Sequence, residues 1–151
     1  MLCCAEMEGE KMRFVVLGLA AGACLQFGQA FAGDAVFDNL KPIDVEAADP
    51  EFVADMFGPW AISDSSGGKH CNVVLKRDQT IGGMEIELAP ACAATFPVLG
   101  DITAWRLLEG WAIDLVDAER KTRIRFDTPD DIYVAYPETD GIFTIQPIPR
   151  D

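Results

Sequence analysis

His70 and Cys71 stand side by side in the stretch FGPWAISDSSGGKHCNVVL, residues 57–75. A cysteine next to a histidine is the material of a thiolate nucleophile and its base. The local pattern argues against that chemistry. The surrounding residues read as a strand, in which neighbouring side chains point to opposite faces and diverge. His70 is the chain's one histidine, so a histidine-rich metal site is excluded, and it is expected on the solvent face of its strand. Ser63, Ser65 and Ser66 have no G-x-S-x-G elbow and no second histidine as base, so they read as turn formers. Asp127, Asp130 and Asp131 form one acidic cluster; Asp114, Asp117 and Glu119 border another. Paired carboxylates can do acid–base work or hold calcium, but neither cluster has calcium-loop spacing, and hairpin turns favour Asp for backbone reasons. The glycine pairs in SGG and IGG lack the lysine and following helix of a phosphate loop. Trp60, Trp105 and Trp111 are assigned to filling a small core. No catalytic residue, metal or cofactor is called for.

Composition narrows the partners. The net charge is −13, and a nucleic-acid binder needs a basic surface to displace counterions. The same charge disfavours docking on anionic lipid. The start of the chain has the layout of an export signal. Lys11 and Arg13 form a positive flank, Phe14 to Leu25 is mostly apolar, and Ala30-Phe31-Ala32 supplies small residues for a cut between Ala32 and Gly33. The apolar run is shorter than the about 20 residues that span a bilayer. Cys24, in AAGAC, offers a second exported outcome, a lipid anchor at the outer membrane. Cleavage removes Cys3, Cys4 and Cys24 and leaves Cys71 and Cys92, and two cysteines in an oxidising compartment usually pair. Their loop of about 22 residues stabilises by roughly 3 kcal/mol in the chain-entropy model.

The elements that would carry these residues follow from the periodicity. Residues 33–49 read as an extended or mobile arm. Pro50 to Phe57 reads as a short helix, with Asp49 as N-cap, Pro50 in the first turn and Gly58-Pro59 as its end. From Trp60 the apolar period becomes two. Strands are expected at 60–63, 70–76, 84–88, 104–108, 111–116, 122–126, 132–136 and 142–146. RDQTIGG is expected as a connection, APACAATFPVLGD as an irregular crossing and EG as a hairpin turn. Trp111, Ile113 and Leu115 alternate with Ala112 and Asp114, and Ile124 and Phe126 with Arg123 and Arg125, as in half-buried strands. The fold class is therefore all-β: an eight-stranded antiparallel up-and-down barrel or a sandwich, with a short N-terminal helix. Closure would remove exposed edges and leave an interior that side chains can fill.

From Pro50 to Pro147 these residues resemble the bacterial Inh-type (AprI-type) inhibitors of secreted zinc metalloproteases and related outer-membrane lipoproteins. GPWAIS is similar to the family's opening G-x-W-x-(apolar)-S. Cys71 and Cys92 resemble its disulfide pair, and FPVLGDITAW its approach to a strand tryptophan. WAIDLVDAERKTRIRF and GIFTIQP resemble its hairpin and closing strand. The resemblance implies an eight-stranded barrel and a periplasmic, monomeric protease inhibitor, with a serralysin-like zinc metalloprotease as partner. It also implies that the segment ahead of the barrel enters the protease cleft, its free amino end approaching the zinc. Here that segment is Gly33, Asp34, Ala35, Val36 and Phe37. This arm departs from the family's compact, often Ser-rich tip: it is acidic, carries Phe37, and is longer. The alternative class is a small envelope barrel or lipoprotein that binds a hydrophobic ligand.

Overall fold

The computed structural model describes residues 39–149. Eight strands close into one antiparallel barrel in chain order: β1 (Gly58–Asp64), β2 (His70–Thr80), β3 (Gly83–Leu88), β4 (Ile102–Leu107), β5 (Ile113–Asp117), β6 (Thr122–Asp127), β7 (Tyr133–Thr139) and β8 (Ile142–Pro147). β8 pairs back onto β1, with Ile62 opposite Ile145. The short helix α1 (Pro50–Val53) precedes β1 and runs on as a 3-10 turn, Ala54–Met56. Its start is capped as the sequence requires: the Asp49 carboxylate accepts from the Glu51 N–H at 3.0 Å, and Pro50 occupies the first turn. A second helix, α2 (Cys92–Thr95), and a 3-10 turn, Pro97–Asp101, fill the β3–β4 crossing.

Inward positions alternate along the strands and meet inside the barrel. Ile62, Leu75, Trp105, Leu107, Ile113, Leu115, Ile124, Phe126 and Ile142 are among the largest fully buried side chains. The two buried tryptophans keep their ring N–H groups satisfied: Trp105 donates to the Lys76 carbonyl at 2.9 Å and Trp60 to the Met56 carbonyl at 3.2 Å. The interior is thus a packed core.

Three expectations need correction. β2 continues past Lys76 through Arg77–Thr80 and closes on β3 in a two-residue turn, Ile81-Gly82, with Gln79 opposite Met84. Its distal half is polar on both faces because the ladder projects past the core, which hides it from an alternation rule. Trp111 does not begin β5. Gly110 (φ 75°) and Trp111 (φ 65°) form a left-handed turn, closed by the Trp111 N–H on the Leu108 carbonyl at 3.0 Å, and Trp111 is 39% exposed. Third, β5 is buried on both faces. Asp114 and Arg125, expected on a solvated face, are 2% and 5% exposed.

That outer face is covered because the β2–β3 turn folds over it. The Arg106 guanidinium donates to the Gly82 carbonyl and to the Arg120 carbonyl at 3.3 Å. Arg106, Asp114 and Arg125 stand opposite one another on β4, β5 and β6. The Asp114 carboxylate takes both arms of the Arg125 fork, at 2.7 and 2.9 Å, and the Thr122 hydroxyl at 2.7 Å. A bidentate, hydrogen-bonded pair is the arrangement in which a buried charge is tolerated.

Two predictions follow from these carboxylates. Arg125→Met leaves Asp114 buried without its counter-ion and should cost about 3–5 kcal/mol in urea unfolding, most of it recovered in the double variant Asp114→Leu/Arg125→Met. A loss below about 1 kcal/mol would show the pair to be dispensable. Asp64 and Asp117 end β1 and β5 and hold their turns. Each carboxyl lies below its ordinary value of 3.8, chiefly through the backbone N–H of Lys69 and of Lys121 respectively. Their contribution is complete above that ordinary value and disappears as pH falls through the lower folded values. The unfolding midpoint should therefore drop below about pH 4, and Asp64→Asn/Asp117→Asn should flatten that part of the profile.

Candidate functional site

In an up-and-down barrel, alternate connections lie at opposite mouths. The β1–β2, β3–β4, β5–β6 and β7–β8 connections share one mouth, and the β4–β5 and β6–β7 connections share the other with α1, while the β2–β3 turn lies over the outer face beside Arg120 and Val116. The first mouth carries the disulfide. Cys71 on β2 is bonded to Cys92 at the start of α2, with Cα atoms 5.2 Å apart. The bond ties the long β3–β4 crossing to the barrel and removes the thiolate that a nucleophile would need. His70 is exposed on the same strand. Ser66 donates to Asp64 at 2.8 Å inside the β1–β2 turn, as a turn former does.

The second mouth receives the N-terminal segment. Residues 33–49 were expected to form one extended arm, but residues 41–49 are pinned. The Ile43 N–H donates to the Leu107 carbonyl at 2.8 Å, Pro42 bridges to Leu108, and the Glu109 N–H donates to the Lys41 carbonyl at 2.8 Å. This strap runs antiparallel to the end of β4, so that traced upstream it heads toward the Gly110-Trp111 turn. Asp44 then closes a local turn, its carbonyl accepting from Ala48 N–H at 3.0 Å, and Val45 is buried at 3% exposure. Arg77 fastens the turn from β2, bonding the Glu46 carboxylate at 3.1 Å and the Val45 carbonyl at 3.3 Å. Its guanidinium also lies over the Phe57 ring, 5.8 Å from the centroid.

The same mouth exposes apolar side chains. Trp111 and Ile132 occupy the β4–β5 and β6–β7 connections, and Phe52 projects from α1; all three are among the exposed large hydrophobics. Beneath them the end is closed. Val53 and Met56 are buried, and Trp60 packs edge-on against Tyr133 with centroids 5.3 Å apart. On the outer rim a groove of about 470 Å³ opens beside Leu40, between the β4–β5 turn and the start of β7. Of the three tryptophans assigned to the core, Trp60 and Trp105 are there and Trp111 is on this rim.

The residues singled out for the protease-binding arm, Gly33 to Phe37, lie outside the described residues, as do Ala32 and Cys24. The structure instead supplies their attachment point. The strap and the rim were not found by sequence reading. Their signal was apolar residues in turns, where polar residues are usual. Among the described residues, no three or more His, Cys, Asp or Glu side chains are grouped to hold a metal ion. No helix among them is long and apolar enough to cross a membrane.

A filled barrel, stapled at one mouth and presenting a strapped segment among exposed apolar side chains at the other, has the form of a rigid scaffold for binding another protein. Residues 52–145 match the family model for protease inhibitor Inh, and the chain belongs to that family. No curated protein matches the chain.

The strap makes a direct prediction for hydrogen exchange. The Ile43 and Glu109 amides should be protected, whereas the Lys41 amide, which reaches only an exposed carboxylate at 3.5 Å, should exchange rapidly. Equal, fast exchange at all three would mean that the segment is not pinned in solution.

Proposed function

We propose that this Inh-family protein is exported to the periplasm, begins at Gly33 after cleavage, and inhibits a secreted zinc metalloprotease. Residues Gly33 to Phe37 lie in the active-site cleft, with the Gly33 amine nearest the zinc. The supporting observation is the strap: it fixes the exit of the N-terminal segment at the mouth that exposes Trp111, Ile132 and Phe52. Gly33 lies eight positions ahead of Lys41, a reach of about 27 Å when extended, close to the diameter of a small domain. An extended segment pairs its backbone with a cleft. An α-amino group, with an ordinary pKa of about 7.7–8.0, exposes a lone pair to zinc at small deprotonation cost. Pinning residues 41–49 shortens the free run and lowers the entropy lost on binding.

The ligand-binding alternative, anchored through Cys24 or not, calls for a hollow interior. Trp105, Phe126, Leu107 and Leu115 occupy that space instead, which favours the inhibitor.

The test uses the exported protein, its first residue fixed by intact-mass spectrometry, against purified zinc, serine and cysteine proteases. Inhibition is expected for a zinc enzyme, and removal of residues 33–37 should weaken it at least about a hundredfold, or about 2.7 kcal/mol. Undiminished inhibition by the truncated form rules out the cleft mechanism. Inhibition of serine or cysteine enzymes alone rules out the target class.

A further inference from the structure

The rim groove faces outward, away from the packed core. Ile113, Phe126 and Ala135 are buried, so alternation turns Ala112, just ahead of β5, Asp127 of β6 and Val134 and Tyr136 of β7 to the outside. Ala112, Pro129, Val134 and Tyr136 form most of the apolar lining, and Leu40 closes one side. Leu40 immediately precedes the strap, whose direction carries the upstream chain toward Gly110, which also lines the groove.

Phe37 lies three residues before Leu40 and is the one aromatic residue between 33 and 49. Three extended residues span about 10 Å, enough to cross the rim. An apolar cavity of about 150 Å³ holds a benzene ring, so a groove of about 470 Å³ accommodates a phenyl group. We propose that in the free protein this groove docks the chain's own Phe37 side chain, folding residues 35–38 back against β5–β7.

Two physical arguments favour this occupant. A segment tethered three residues away is present at an effective concentration in the millimolar range, so weak apolar contact suffices. A second copy must instead approach against a net charge of −13 on each molecule. The consequence for inhibition rests on the arm-in-cleft reading: a stowed arm must leave the groove to enter a protease, and apparent affinity falls by the fraction of free arm. The docking itself does not depend on that reading, nor on cleavage before Gly33.

The experiment is NMR on the full exported protein with labelled Val and Ala methyl groups and no protease. Ring-current shifts on the Val134 and Ala112 methyls, with contacts to the Phe37 ring, are expected at micromolar concentration. They should vanish in Phe37→Ala and persist in Asp34→Asn. Methyl shifts unchanged by Phe37→Ala overturn the proposal. Shifts that fade on dilution also overturn it, because the occupant is then a second copy. Contact without inhibition of any protease would remove the proposed function and leave the docking standing; inhibition without contact would remove only the docking.

Discussion

The barrel depends on one close backbone approach, at the seam between β3 and β4. Every other neighbouring pair of strands shows at least two registered positions, whereas this seam is registered at Met84 opposite Trp105 alone. Just beside it, a Cβ on Gly83 would lie 2.3 Å from the Trp105 carbonyl oxygen. Only glycine lets the two backbones meet there. Around this point the sequence concentrates support. The Trp105 ring is held to the Lys76 carbonyl, Arg106 reaches over to the Gly82 carbonyl, and Met84 is buried beneath. Closing this seam satisfies the sheet edges and makes the barrel stiff.

Stiffness is distributed unequally between the mouths. At one, the disulfide and the two Asp-held turns convert connections into fixed corners. The carboxylates of Asp64 and Asp117 take up turn N–H groups that would otherwise be unpaired. At the other, fixation is by backbone strap, arginine clasp and buried Val45. These hold residues 41–49 and leave Trp111, Ile132 and Phe52 exposed. A binding surface needs that division: a core that does not deform, and anchors whose apolar area is still available to a partner.

Much of the barrel was legible because β1 and the first half of β2 obey alternation, with Trp60, Ile62, Cys71, Val73 and Leu75 buried, and because the turns carry Gly, Asp and Pro. The disulfide was legible from cysteine number once the leader was set aside. What escaped was set by tertiary contact. The polar end of β2 is a strand because β3 pairs with it, and Asp114 is buried because an arginine fork and a folded-over turn compensate it. Neither fact has a local signal. The Trp111 error has another origin: its apolar character matched the strand period, while the left-handed turn at Gly110 placed it one step outside. For the site, sequence resemblance pointed to residues upstream of the barrel, but the strap that aims them is made of backbone groups, which side-chain patterns do not report.

The strap also changes how the length of the N-terminal segment should be understood. Counted from Gly33 to the barrel, the arm looks too long and too acidic to enter a cleft economically, since each ordered backbone residue costs about 1–2 kcal/mol of conformational entropy. Residues 41–49 are already ordered before any partner arrives, and Val45 and Ile43 pack on the core cluster to keep them so. On the arm-in-cleft reading proposed above, residues 41–49 therefore add no ordering cost on binding. The same anchoring brings Leu40 to the groove and sets the direction from which the upstream chain enters the barrel.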